Sequence, residues 1–170
     1  MLKLSRLPRL KYVRLFGADQ ITDLGISYLS NLSCLEELEI SDCERLSPHC
    51  LEDIGKIQTL RYLYLEDISE DATDISCLSK LVNLHSLVFS YMPGLTDSAL
   101  KVVAQFKKLR KLDIGDNDNF TEEGIRHLAQ LPHLRTLELD IKDISDEVLR
   151  RHGLLDKVPE WRRKMLVKRR

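Results

Sequence analysis

A pattern of apolar and polar positions recurs six times along the chain. Each copy starts with an apolar residue, has Leu three positions later, and ends in two apolar positions separated by one residue. The final alternation has period 2, which predicts a short, half-buried β-strand. The copies, numbered here as repeats 1 to 6, start 24 or 25 residues apart, at Leu7, Leu32, Ile57, Leu81, Phe106 and Leu131.

A second phrase with helical spacing follows the strand in every repeat except the third. It reads ITDLGISYL in repeat 1 and is replaced in repeat 3 by LEDISEDATDISCL. Each phrase carries Ser or Thr just before its amphipathic stretch, where such side chains cap the first helical turn. An acid follows in four of the five phrases and suits the positive end of the helix dipole. The predicted caps are Thr22, Ser47, Thr96, Thr121 and Ser145.

One strand and one helix in about 25 residues cannot bury their own apolar faces, whereas stacked copies can share one core. The strands then align as a parallel sheet on the concave side, and the wider helices form the convex side. We therefore predict an α/β leucine-rich-repeat solenoid, a right-handed horseshoe of about six repeats over residues 1–149. Residues 150–170 form a basic C-terminal cap or tail in this prediction.

The repeats resemble the cysteine-containing subtype of leucine-rich repeat, which is typical of the F-box substrate receptors of ubiquitin ligases. The resemblance covers about 7–150 and rests on ITDLGISYL and on LEELEISDCERLSPHCLEDI, with Cys43 after the strand. Only repeat 2 carries that Cys; the other copies have Ala18, Ile68, Met92, Asn117 and Lys142 there, and Leu or a close relative replaces a second family Cys before the strand. Similar repeats occur in bacterial leucine-rich proteins and in a small mitochondrial factor associated with ATP synthase, so the subfamily stays open.

Charge is distributed unevenly along the chain. Residues 150–170 hold nine Lys or Arg against two acids, and residues 1–149 hold 17 against 25. An acidic body argues against a nucleic-acid groove, and no apolar run is long enough for a membrane span. The basic segment has two readings. It is a cap built on Leu154, Trp161 and Met165, or an import or acidic-partner segment built on Arg162, Arg163, Lys164, Lys168, Arg169 and Arg170.

The sequence contains only weak matches to motifs of metal-binding or catalytic sites. Counted as a calcium loop from Asp116, the chain offers Phe120, Thr121 and His127 where an oxygen ligand, Gly and Glu are needed. Cys43, His49 and Cys50 lack the usual spacing of zinc ligands. No phosphate-loop, nucleophile-elbow or zinc-protease motif occurs. We expect no enzyme, no cofactor and no metal, and we expect the unpaired cysteines to be reduced in a cytoplasmic or nuclear protein.

A binding surface is predicted on the concave face, where alternate strand residues point outward in three columns about 5 Å apart from repeat to repeat. The aromatic residues concentrate in repeats 1 to 3, with acids between them, whereas repeats 4 to 6 are more polar. Exposed aromatics ringed by charge are typical of protein-binding surfaces, although strands favour Tyr and Phe in any case. The predicted binding residues are Tyr12, Arg14, Phe16, Glu37, Glu39, Tyr62, Tyr64 and Glu66.

The main functional hypothesis is a protein-interaction module whose resemblance implies substrate recognition in an F-box-type ubiquitin ligase. No F-box helix bundle is present in these residues. The alternatives are a mitochondrial ATP-synthase-associated assembly factor, favoured by a start without acids before Asp19, and a generic leucine-rich-repeat scaffold. We also expect further N-terminal sequence or a partner to cover the open face of the first repeat, because solenoid ends need caps.

Overall fold

The computed structural model describes residues 6–139 and 144–160 and contains a parallel β-sheet with its strands in chain order. Every neighbouring pair of strands is parallel, and equivalent residues of successive repeats face each other in the register. The predicted solenoid is confirmed. The strands are β1 (Tyr12–Phe16), β2 (Glu37–Ser41), β3 (Tyr62–Glu66), β4 (Ser86–Ser90), β5 (Lys111–Asp113) and β6 (Thr136–Glu138).

Short helices form the outer layer. In repeat 3 a 3₁₀ helix, Ser76–Lys80, stands where the helical phrase is missing. Two further 3₁₀ helices, Tyr28–Asn31 and Leu155–Lys157, follow the first and last α-helices. No helix within the described ranges is long and apolar enough to cross a membrane. The α-helices are α1 (Asp23–Ser27), α2 (Cys50–Ile54), α3 (Asp97–Val103), α4 (Glu122–Leu128) and α5 (Asp146–Arg151).

One continuous hydrophobic core runs between the sheet and the helices, from Val13 to Val158. Its regular members are the strand leucines, such as Leu38 and Leu63, which are fully buried. At the C-terminal end, Leu154, which belongs to the predicted cap, is 1% exposed. The other residues of the two tail readings, Trp161–Arg170, lie outside the described ranges.

The backbone turns through the left-handed region directly after each of the first four strands and three residues after the end of β5. Gly17, Asp42, Asp67, Tyr91 and Asp116 have φ between 46° and 55°. Gly and Asp tolerate this conformation better than most residues, whereas a bulky residue such as Tyr91 is uncommon there. The turn directs the next residue of each repeat back towards the core.

Asn117 follows the left-handed residue of repeat 5 and is buried, with 1% exposure. Its amide donates to the carbonyls of Phe89, Ile114 and Gly115, and its oxygen accepts from the Met92 N–H at 2.8 Å. The amide therefore ties repeat 5 to the strand and turn of repeat 4.

Cys43 holds the equivalent place in repeat 2. Its thiol lies 3.4 Å from the Ser41 carbonyl and 3.8 Å from the Leu15 carbonyl. These carbonyls match two of the Asn117 partners, because they are two and 28 residues earlier in both cases. Cys43 and Asn117 thus perform one structural task with donors of different strength, since a thiol is a weak donor.

The predicted helix caps are only partly confirmed. The side chains of Thr121 and Ser145 accept from backbone N–H groups of their own helices, as predicted. Those of Thr22 and Thr96 make no such bond. Ser47 accepts from the His49 N–H at 3.3 Å, and α2 starts one residue later.

The acid after the cap position makes a bond that sequence reasoning missed. Asp97 accepts from both the N–H and the hydroxyl of Thr121, at 2.9 and 2.6 Å, so it joins repeat 4 to repeat 5. Asp23 binds Ser47 of the next repeat in the same way. A Cβ added at Gly124 would overlap the Asp97 carboxylate, which explains why this position has no side chain.

We predict that Asn117→Ala lowers the free energy of unfolding by about 3 kcal/mol, because each buried polar group left unpaired costs about 1–3 kcal/mol. Asn119→Ala is the control, since Asn119 is exposed although it also donates to a carbonyl, that of Pro93. The free energy of unfolding of Asn119→Ala should fall by no more than about 0.5 kcal/mol, as is usual for a surface substitution. Urea denaturation of both variants measures the difference, and equal losses would contradict the role given to Asn117.

Candidate protein-binding surface

The concave face consists of the predicted columns of strand residues. The register pairs Tyr12 with Glu37 and Glu37 with Tyr62 in the first column. The second column begins Arg14, Glu39, Tyr64, and the third begins Phe16, Ser41, Glu66. Asp140, at the place that the repeat spacing gives to the last member of the third column, lies outside the described ranges. The eight predicted binding residues therefore lie on adjacent strands, and we call this set the aromatic patch.

Four aromatic rings form the apolar part of the aromatic patch. Phe16 is 52% exposed and Tyr12 is 38% exposed, whereas Tyr62 and Tyr64 are half-buried. The rings of Phe16 and Tyr64 are tilted by 54° with centroids 6.4 Å apart, a favourable aromatic contact. The exposed rings belong to β1 and the half-buried ones to β3.

Arg14 lies between the two rings of its own strand. Its guanidinium carbon is 5.3 Å from the Tyr12 centroid and 5.0 Å from the Phe16 centroid. Its Nε donates to Glu39 on the neighbouring strand at 2.6 Å, and this bond raises the pKa of Arg14. Arg14 therefore holds two aromatic rings and one carboxylate in a fixed arrangement.

Glu39 is much less accessible than the sequence suggested. It was expected as a charged group standing between exposed aromatics, but it is 9% exposed because Arg14 and its neighbours cover it. Its charge is already matched by Arg14. Glu39 is consequently placed to position Arg14 rather than to meet a partner directly.

Glu66 organises the far side of the patch. It accepts from the Tyr64 hydroxyl at 2.6 Å and from the Ser41 hydroxyl at 2.9 Å. Burial raises the pKa of Tyr64, and the bond to the Glu66 carboxylate raises it further. Ser41 was not among the predicted binding residues, although its place between Phe16 and Glu66 in the third column was a usable signal.

Glu37 differs from the other acids of the patch because it is exposed between two tyrosines. No salt bridge or hydrogen bond joins its carboxylate to another side chain in residues 6–139 and 144–160. The preceding residue, Glu36, is bound by Lys11 at 2.9 Å and by Arg61 at 3.6 Å. In the row formed by Lys11, Glu36 and Arg61, the acid is paired with cations. In the next row, formed by Tyr12, Glu37 and Tyr62, the acid lies between two aromatic rings.

The concave face of repeats 4 to 6 is polar and self-paired. Lys111 on β5 binds Glu138 on the adjacent strand β6 at 3.1 Å, and Val88 is only 6% exposed. None of the paired concave positions of β4, β5 and β6 is aromatic. The aromatic patch is therefore confined to one end of the sheet, as the sequence predicted.

The side chains weighed as metal ligands have structural positions. Cys43 and Cys50 are fully buried in the core, and burial raises the pKa of the Cys50 thiol to about 12. Asn117, inside the segment considered as a calcium loop, points into the core. Within the described part of the chain, no three His, Cys, Asp or Glu side chains form a group able to hold a metal ion.

Known proteins resemble the chain in sequence and in fold. A family model for the leucine-rich repeat matches residues 107–129. F-box/LRR-repeat protein 4 of Bos taurus is 29% identical over 145 residues, which are 76% of this chain and 23% of that protein. The chain thus spans about a quarter of the length of this relative.

Two solved structures show the same fold. Internalin C2 of Listeria monocytogenes matches with a TM-score of 0.62 and 23% identity, over 88% of this chain and 73% of that chain. The C-terminal domain of Caenorhabditis elegans tropomodulin matches with a TM-score of 0.51 and 13% identity, over 98% and 93%.

The parallel sheet with its outer layer of helices defines a repeat solenoid. Taken with these similarities, the chain is a leucine-rich-repeat protein. Solenoids of this class generally present their concave surfaces to protein partners.

We predict that Tyr64→Phe lowers the free energy of unfolding by about 1 kcal/mol, because it removes a hydrogen bond to a carboxylate. Tyr62→Phe is the matched control, since no hydrogen bond of the Tyr62 hydroxyl occurs among the described residues. The raised pKa of Tyr64 fixes the pH dependence. The contribution of the Tyr64–Glu66 bond to the free energy of unfolding is complete below the ordinary tyrosine pKa of about 10. It falls as the pH rises through the higher pKa that Tyr64 has in the folded state.

Urea denaturation of the wild type and both variants at several pH values measures these effects. The gap between wild type and Tyr64→Phe should stay constant up to about pH 9 and narrow above about pH 10. An equal effect of Tyr62→Phe, or a gap that widens in alkali, would show that the Tyr64–Glu66 bond is not the cause.

Proposed function

We propose that this protein is a non-enzymatic interaction module that binds a partner protein through its aromatic patch. The observation that carries the proposal is the grouping of four aromatic rings with glutamates on the concave strands β1 to β3. Aromatic side chains and Arg are enriched where protein interfaces gain most of their energy. An interface centred on Phe16 and Tyr62 would bury both rings against the partner.

The tendency of strands to contain Tyr and Phe is a weaker explanation of the patch. Strand propensity acts on each strand separately, so it would distribute aromatic residues over the whole sheet. The paired concave positions of β4 to β6 hold Ser, Val, Lys, Asp, Thr and Glu instead. The concentration at one end favours a local cause such as a binding partner.

In the more specific form of the proposal, the partner is a substrate recognised for an F-box-type ubiquitin ligase. The similarity to bovine F-box/LRR-repeat protein 4 supports this form. It also agrees with the resemblance to cysteine-containing repeats, and it assigns the protein to the cytoplasm or the nucleus.

The double change Phe16→Ala with Tyr62→Ala should abolish partner capture while the domain stays folded. Phe16 is half-exposed, and neither residue belongs to the fully buried core. Capture is measured by affinity purification and quantitative mass spectrometry from cells that express each variant. Leu24→Ala is the control, because Leu24 is 65% exposed on the convex helix α1 of the same repeat.

If the double variant captures the same partners as well as the wild type does, the assignment of binding to the aromatic patch is refuted. For a partner that is lost, its ubiquitylation and half-life are then measured after depletion of the protein. A partner that is ubiquitylated less and lives longer supports the ligase role, and an unchanged half-life contradicts it. Recovery of ATP-synthase subunits would favour the mitochondrial alternative instead.

A further inference from the structure

We propose that Glu37, with Tyr12 and Tyr62 on either side, binds an arginine side chain presented by the partner protein. This inference rests on the proposed function, because it specifies the chemistry that the aromatic patch recognises. The three residues face each other in one row across β1, β2 and β3. The patch then has an apolar anchor at Phe16 and a cation site at Glu37.

The charge of Glu37 is available to an incoming cation. Its carboxylate is exposed and forms no ion pair within residues 6–139 and 144–160. The nearby cations Lys11 and Arg61 bind Glu36 on the adjacent row. Among the patch acids, Glu39 is matched by Arg14, and Glu66 is bound by two hydroxyl groups.

The patch already contains the arrangement that the proposal requires. The Arg14 guanidinium lies 5.0 and 5.3 Å from two ring centroids and contacts a glutamate through Nε. At Glu37 the rings belong to β1 and β3, which flank β2 and whose backbones are therefore two strand spacings, about 10 Å, apart. A cation above Glu37 would lie about 5 Å from each ring, within the range of cation–π attraction.

The surrounding charge favours a cationic partner. The patch holds three glutamates against one arginine, and the turns that border it carry further exposed acids. Such a field raises the local concentration of cations and steers a basic segment towards the face. The exposed acids of these turns are Asp19, Asp42, Glu44, Asp67 and Glu70.

Arginine fits this row better than lysine. A guanidinium is planar, stacks on aromatic faces and binds a carboxylate through two parallel N–H groups. An ammonium is a compact, strongly hydrated point charge that gains less from two flanking rings. Arg14, in the neighbouring column, contacts two aromatic rings and one carboxylate at once, the carboxylate through Nε.

Nα-acetyl-arginine methylamide is the probe that tests the site, titrated into the isotope-labelled chain and followed by NMR at low salt. The citrulline derivative has the same shape without the charge, and the lysine derivative has the charge without the plane. We expect saturable shifts of the Tyr12, Glu37 and Tyr62 resonances with the arginine probe, and much weaker ones with citrulline.

Glu37→Gln should weaken binding of the arginine probe about fivefold, in keeping with the modest strength of exposed ion pairs and cation–π contacts. Glu44→Gln is the matched control. It removes the same charge from an exposed residue of the same repeat, outside the row. Because Glu44 acts only through the general acidic field of the turns, its loss should weaken binding of the arginine probe much less than Glu37→Gln does. Unchanged backbone spectra establish that both variants are folded.

Four outcomes would overturn the inference. They are shifts centred away from the row, equal binding of citrulline, lysine binding at least as tight as arginine, and equal losses in Glu37→Gln and Glu44→Gln. The proposed function is judged separately by partner capture with Phe16→Ala and Tyr62→Ala. If capture depends on those rings while the arginine probe fails, the protein-binding function stands and the arginine site does not.

Discussion

Each repeat of this protein can bury its apolar side chains only against its neighbours. A strand of three to five residues and a helix of at most seven have too little surface to enclose a core alone. The leucines of every strand therefore stack on those of the strands before and after, and one hydrophobic cluster runs through the described repeats. The polar contacts between repeats form at the spacing that this stacking sets.

The polar contacts between repeats follow from that spacing. Stacking leaves the N–H and carbonyl groups of each turn close to those of the next, in a region that water does not reach. A side chain directly after the left-handed residue can satisfy them, and Asn117 does so with four hydrogen bonds. On the convex side, Asp23 and Asp97 extend the same principle by binding the hydroxyl residue of the following repeat.

The strands were predictable nearly to the residue because two periods coincide in them. Alternation every two residues and recurrence every 24 or 25 residues leave only one register, and the structure has it for β1 to β4. The caps were less predictable. Thr22 and Thr121 look alike in sequence, yet of these two only Thr121 bonds to its own helix. Its hydroxyl is also held by Asp97 of the preceding repeat, whereas no such acid precedes Thr22 in the described repeats. Local sequence does not contain that contact between repeats.

The candidate site was likewise predictable from the sequence only in part. The outward columns followed from alternation, but the burial of Glu39 did not, since it depends on how Arg14 lies across two rings. Arg14 and Glu39 face each other directly in the register, and this opposition was a signal for an ion pair. Because the core and the backbone ladder already hold the strands together, the concave positions are free to differ between repeats. Repeats 4 to 6 use them for an ion pair between Lys111 and Glu138. Repeats 1 to 3 hold aromatic rings there, and Glu37, between two of them, forms no ion pair within residues 6–139 and 144–160. These rings and this acid lie outside the hydrophobic core that joins the repeats.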